Sequence, residues 1–368
     1  MNDKIGALAL AIATTIGAGV LGLPKALYLV GPLGIAIAAL VAFFLLISAV
    51  MLSDMLKREK RPIQIPALIA EVLGEKWKYF VYLTLIFSMY GALSAYHLGF
   101  GIQLNTLIGI PEIVGGLVLF VIGSYLIYRG TKAIEKIATP LAMALVIFLI
   151  GLSILNIFSF QGFEFAPLNL GNSMMFTGTI MFALFGLNVL PEINFLTKGK
   201  PMKTYILSTI LCLFLYLGFS FTTVAVLGDS TTALGTSGLA QYYGGMFNVV
   251  ISLFTIIALF SSFLGIGLSM MHIYQFDFKF RRSVSTMLVV TPPLTIFLLS
   301  GPLNISFLDI LGIAGELTLP LFAITVAYAY HKIMPAIKPR VPLPKATTFI
   351  TAGFYATIFT VSLVNLIL

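Results

Sequence analysis

The chain has 368 residues, 59% hydrophobic and only 9% charged, against about 25% charged in an ordinary soluble domain. That balance excludes a soluble enzyme or binding module and describes a polytopic membrane protein. One cysteine, Cys212 inside an apolar run, excludes a disulfide framework and a thiolate metal cluster.

Apolar runs long enough to cross about 30 Å of hydrocarbon predict eleven spans in chain order. They are 5–30, 33–56, 79–108, 113–128, 138–158, 173–196, 205–227, 246–274, 284–300, 305–330 and 346–368. The chain is then one transmembrane domain of 368 residues with no soluble appendage. Lys4, the group from Lys57 to Lys78, the Arg129–Lys136 group, the Lys198–Lys203 group, the Lys279–Arg282 group and the Lys332–Lys345 group fall on one side of these spans. That is 20 of the 21 basic residues, with Lys25 the exception. Basic loops mark the cytoplasmic face, so a cytoplasmic N-terminus and an extracellular C-terminus in the cell membrane are expected. The same distribution accounts for the +8 net charge without nucleic acid.

Span one is interrupted at Thr14-Thr15-Ile16-Gly17-Ala18-Gly19. Each glycine weakens a helix by about 1 kcal/mol relative to alanine, and freed peptide groups in hydrocarbon cost several kcal/mol more unless satisfied. Such breaks are tolerated where the backbone lines a cavity. Gly-x-Gly is also a common packing device in membrane helices. Span six carries the second interruption, Phe182-Ala183-Leu184-Phe185-Gly186-Leu187-Asn188-Val189-Leu190-Pro191. Pro191 alone would give an ordinary kink, but matching breaks five spans apart point to two inverted halves, 5–158 and 173–330, with 346–368 appended. Between spans, 65–72 has the spacing of a helix lying on the inner surface, and the Gly/Ser/Thr-rich 228–245 suits an outer loop or lid.

Ionised groups within the spans are few. Glu316 lies near the midplane, where it is either a proton carrier or a locked neutral acid. Lys25 lies about 9 Å outward of Gly19 at 1.5 Å per residue, at the height of Asp309, and the two are expected to form an outer gate pair unless Lys25 snorkels to the interface. Glu192, toward the inner end of span six, reads as a structural cap or pair. His97 reads as a packing histidine or a proton carrier. The three histidines are too scattered for a metal site, and no H-E-x-x-H motif is present.

The first break, continued through Leu23-Pro24, resembles the first-helix motif of the amino acid/auxin permeases. Tyr90-Gly91-Ala92-Leu93-Ser94-Ala95-Tyr96, Ser261-Ser262-Phe263-Leu264-Gly265 and Leu311-Gly312-Ile313-Ala314-Gly315 match further stretches in the same order. The chain is most similar to the hydroxy- and aromatic-amino-acid permeases within the amino acid–polyamine–organocation superfamily. The resemblance implies an all-α, LeuT-type fold of five plus five inverted helices with broken helices one and six and an extra eleventh. It further implies amino acid import coupled to sodium or protons.

On that reading a substrate carboxylate faces the N–H groups of Gly17, Ala18 and Gly19 at the start of a half-helix. The ammonium faces carbonyls near Ala13 and Phe182–Phe185, taken as ends of inner half-helices. Thr14, Tyr96, Phe182, Ala183 and Phe185 complete the expected substrate contacts. Ser261 and Ser262 align with a hydroxyl pair that, with the carbonyls of Ala13, Ile16 and Ala258, forms a sodium site in sodium-coupled relatives. Serines in membrane helices also bond to their own preceding turn. The basic residue of a proton-coupled relative in span five is missing here, so sodium is favoured over the proton. The expected partners are a neutral or aromatic amino acid and the bilayer, with oligomeric state open and no cofactor beyond that ion. The alternatives are an uncoupled exchanger and a non-transporting amino acid sensor.

Overall fold

A computed structural model of the protein describes residues 3–17, 19–57, 63–130, 132–198, 200–337, 339 and 343–367. Ala18 lies outside the described residues, as do the basic residues Arg58, Lys60, Arg61, Lys338 and Arg340; the side chains of Lys4, Ala13, Lys132 and Lys136 are likewise not described. All regular structure among the described residues is helical.

Span one is two helices, α1 (Asp3–Thr15) and α2 (Gly19–Val30). α3 (Leu33–Leu56) follows, then the short α4 (Ile65–Leu73), α5 (Glu75–Ile108), α6 (Glu112–Arg129) and α7 (Lys132–Phe158). Span six is again divided, into α8 (Leu170–Ala183) and α9 (Leu190–Leu196), with a 3-10 turn over Leu187–Val189 between them. The rest comprises α10 (Met202–Leu227), α11 (Gly235–Tyr243), α12 (Gly245–His272), α13 (Arg282–Ser300), α14 (Phe307–Ile313), α15 (Leu319–Ile333) and α16 (Lys345–Ile367). π-helical turns extend α12 over Ile273–Asp277 and join α14 to α15 over Ala314–Thr318.

Among the described residues nine helices are long and apolar enough to span a membrane, against the eleven expected. The shortfall has a local cause at each place. Span one is cut by its break, leaving Gly19–Val30, and span five offers only the 143–158 stretch as a described apolar helix. The two shortest expected spans, four and nine, are intact helices as α6 and α13.

The surface helix expected at 65–72 forms as α4, with Ile65, Pro66, Leu68 and Ile69 buried against the protein. Just before it, the Gln64 Nε2 donates to Glu192 Oε1 at 3.1 Å, which makes Glu192 a pairing residue at the start of α9. Within the expected outer loop, α11 is packed inward, and Thr106 Oγ1 and Ser237 Oγ lie 2.6 Å apart across α5 and α11.

The halves toward the face opposite the basic loops are sealed by backbone contact. Gly178 of α8 lies directly against the Gly312 carbonyl, and Gly315 against the Gly178 carbonyl, so a Cβ at either position would collide with main chain. Small residues allow this approach, and van der Waals packing is what joins helices in lipid. We expect Gly315→Ala to lower stability by about 1–3 kcal/mol through overpacking, read as a fall in the melting temperature of the purified protein in detergent.

Candidate functional site

The two interruptions meet. A Cβ on Gly19 would stand 3.1 Å from the Ala183 Cα and 3.2 Å from Phe182 Cδ1, while one on Gly186 would lie 2.5 Å from Thr15 Oγ1. Side chains larger than hydrogen at these two glycines would drive the breaks apart. α1 ends because Ile16–Gly17 leave helical geometry, and α8 ends at Ala183 before Leu184–Gly186. The pairs Thr14–Leu10 and Thr15–Ala11 use their hydroxyls to bond carbonyls one turn back, at 2.9 Å each.

Tyr216 of α10 joins both breaks. Its fully buried hydroxyl lies 2.9 Å from the Thr15 carbonyl and 3.2 Å from the Ala183 carbonyl, within donating distance of both. Those are the last carbonyls of α1 and α8, which a helix end in hydrocarbon must satisfy. Nothing in the sequence marks this residue, one of 15 tyrosines.

A cavity of about 310 Å³ opens at this junction. It brings together Thr14, Gly17, Gly19, Tyr96, Phe182, Ala183 and Phe185 from the expected substrate contacts, and Ile16, Ala258, Ser261 and Ser262 from the expected cation set. The side chain of Ala13 is not described, and Ala18 lies outside the described residues. Residues not foreseen there include Thr15, Leu85, Ser88, Met89, Leu145, Ile266 and Ser269. Asn188, visible in the break but given no role, lines it too. Among the described residues no Asp, Glu, Lys, Arg or His lines it. The volume is at the small end of ligand sites, enough for one amino acid.

The cavity is asymmetric along the membrane axis. On α5 its lining runs from Tyr96 back to Leu85, toward the end that meets the basic 57–78 stretch. On α12 it runs from Ala258 to Ser269, toward the basic 279–282 loop. Thr14 and Ser269 are exposed. The cavity therefore reaches from the breaks toward the basic face, while the opposite side is closed by the glycine contacts of α8 and α14.

Several expectations change. The carbonyls at 182–183 close α8, which enters from the face opposite the basic loops, so they end the half-helix on that side, not the expected one on the basic side. Lys25 and Asp309 form no ion pair. The Lys25 ammonium lies 4.6 Å from the centre of the Tyr28 ring. The Asp309 carboxylate accepts from the Ser306 N–H at 2.8 Å and from its hydroxyl at 2.7 Å, completing a capping box at the start of α14. A local cap satisfies that carboxylate without a distant lysine.

Ser261 donates to the Ala258 carbonyl at 2.9 Å, the within-helix bond allowed for above. His97 lies outside the cavity lining, its ring centroid 5.1 Å from that of Phe263 and 5.5 Å from that of Phe297, with Nδ1 2.8 Å from the Leu93 carbonyl. That is the packing role. Glu316 sits in the π-helical turn, also outside the cavity lining, with one buried carboxylate oxygen lacking a hydrogen-bond partner.

Residues 1–362 match the tryptophan/tyrosine permease family. The chain belongs to that family. A relative, the tyrosine-specific transport system 1 of Haemophilus influenzae, is 26% identical over 372 residues, covering 91% of each chain. A permease is a transporter rather than an enzyme, and the match bears out the aromatic-amino-acid part of the resemblance read from the motifs. It does not reach to the amino acid/auxin permeases or to the wider superfamily. For this permease, removing the Tyr216 hydroxyl leaves two helix-end carbonyls without their donor. The phenol has one proton to share between the two acceptors, so Tyr216→Phe is expected to cost about 0.5–1.5 kcal/mol, measured by thermal unfolding of the detergent-solubilised protein.

Proposed function

We propose that this protein is a secondary active transporter that imports aromatic amino acids by alternating access, in symport with a cation. The observation that carries the reading is a cavity for one small molecule at the junction of two broken helices, walled without a single formally charged side chain. A zwitterion stripped of water needs partners for both ends, and here backbone supplies them. The positive end of α2 suits the carboxylate, and carbonyls at the end of α8 suit the ammonium. Phe182, Phe185, Met89, Leu85 and Ile266 offer apolar walls to an aromatic ring. The tyrosine transport system of Haemophilus influenzae supports this substrate class.

On this reading the chain crosses the bilayer eleven times with its N-terminus inside, as two inverted five-span halves and an added α16. The cavity reaching the basic face is then the inward-facing state. Sodium is the favoured coupling ion. The Ile16 and Ala258 carbonyls and the Ser261 and Ser262 hydroxyls, from residues that line the cavity, would hold it, and this all-oxygen set fits a hard cation. Bound there, the ion would supply positive charge beside the substrate carboxylate. Glu316 is the competing proton carrier, placed away from the cavity.

Labelled tyrosine uptake into proteoliposomes, with sodium and proton gradients imposed separately, tests the reading. A sodium gradient is expected to drive accumulation, and Ser262→Ala to raise the sodium concentration for half-maximal uptake about tenfold, equivalent to roughly 1.4 kcal/mol. Sodium-independent uptake that collapses in Glu316→Gln would reverse the choice of ion. Failure of tyrosine, tryptophan and phenylalanine to enter under either gradient would overturn the transport reading.

A further inference from the structure

Among the described residues, Asn188 is the one cavity-lining side chain with a buried polar atom that lacks a hydrogen-bond partner: its amide oxygen. Burying an amide group without a partner costs about 1–3 kcal/mol. Such a group in a ligand cavity is explained if the ligand supplies the missing bond. Asn188 belongs to the 3-10 turn of span six, five residues past the Ala183 carbonyl and on the side of the break toward the basic face.

That position separates it from the groups that serve the amino acid's charged ends. The α2 N-terminus and the α8 C-terminus lie at the break itself, where Gly19 and Ala183 touch. Beyond the break the cavity is walled by Leu85, Met89 and Ile266, which is where an apolar ring belongs. A ring placed there brings its far edge, not its ammonium, toward the end of the cavity that Asn188 shares. A carboxamide is suited to that edge in either orientation, because it both accepts and donates. It can take the proton of an indole N–H or phenol O–H and can donate to the phenol oxygen. Among the described residues nothing charged competes, since Tyr96 is the one ionisable group of the lining.

We propose that Asn188 is a specificity-determining residue whose amide hydrogen-bonds the heteroatom on the substrate's aromatic ring, selecting phenol- and indole-bearing amino acids over phenylalanine. The inference rests on the transport reading above and deepens it. A buried polar group left unpaired by the wrong substrate discriminates against that substrate. Tyrosine and tryptophan therefore bind better than phenylalanine because phenylalanine strands the amide.

The test is counterflow of labelled tyrosine in proteoliposomes, competed by unlabelled tyrosine, tryptophan and phenylalanine, for the unmodified protein and for Asn188→Leu, which has similar size and no hydrogen-bonding group. The unmodified protein is expected to prefer tyrosine over phenylalanine by about tenfold or more. In Asn188→Leu that ratio should fall to near one, with phenylalanine inhibition retained or strengthened. Asn188→Ser, polar but too short to reach the ring edge, should lose the same preference and serves if the leucine variant does not fold. An unchanged ratio in the folded variant overturns the proposal. Equal weakening for all three amino acids also overturns it, because it assigns Asn188 to the shared ammonium or carboxylate. An unmodified protein that carries none of the three overturns the transport reading itself, an outcome distinct from an unchanged ratio.

Discussion

A peptide group that loses its helical partner in hydrocarbon has no water to turn to, and each unsatisfied group costs several kcal/mol. Two spans of this protein interrupt themselves all the same. What makes that affordable is the single hydroxyl of Tyr216, which reaches the last carbonyls of both α1 and α8. With those ends satisfied, the remaining peptide groups of the two breaks are left to face a cavity. One buried tyrosine on α10 thus stabilises the interruption and holds the two half-helices in register with each other.

The second constraint is closeness. Gly19 against Ala183, and Gly178 against Gly312 and Gly315, bring main chain to main chain at the junction and along the side away from the basic loops, while Gly186 makes room for the Thr15 hydroxyl. Toward the basic face the cavity continues, and α5 and α12 contribute Ser88, Met89, Ile266 and Ser269 to its lining. Tight glycine packing at one end and a cavity of mixed apolar and hydroxyl lining at the other produce a site accessible from one side. On the alternating-access reading proposed above, such asymmetry belongs to a single state, and the α8–α14 contact would be the surface that parts in the opposite one.

Both breaks were legible in the chain because each leaves a local mark: glycine spacing in span one, glycine with proline in span six. One part of the cavity lining followed from them, since Thr14, Gly17, Phe182 and Ala183 are neighbours of the breaks in sequence. Ser261, Ser262 and Tyr96 came instead from the family resemblance. Tyr216 could not be read this way, because its role depends on α10 lying behind both breaks and a lone tyrosine carries no periodicity. Asn188 was in plain view, but its importance depends on an unpartnered amide oxygen, which is a property of packing. The Lys25–Asp309 pair failed for a related reason. Equal height on adjacent helices is necessary for an ion pair, but Ser306 was three residues away and satisfied Asp309 first.

The sequence by itself determined that this is a membrane-spanning chain, where its helices run, which face carries the basic loops and where two helices come apart. These depend on composition and on neighbours along the chain. Only the tertiary structure decided that the two breaks touch, that a tyrosine on α10 ties them, and that the cavity reaches the basic face. Contacts between residues 201 positions apart, as Thr15 and Tyr216 are, arise from how helices pack in three dimensions, and local pattern holds no record of that.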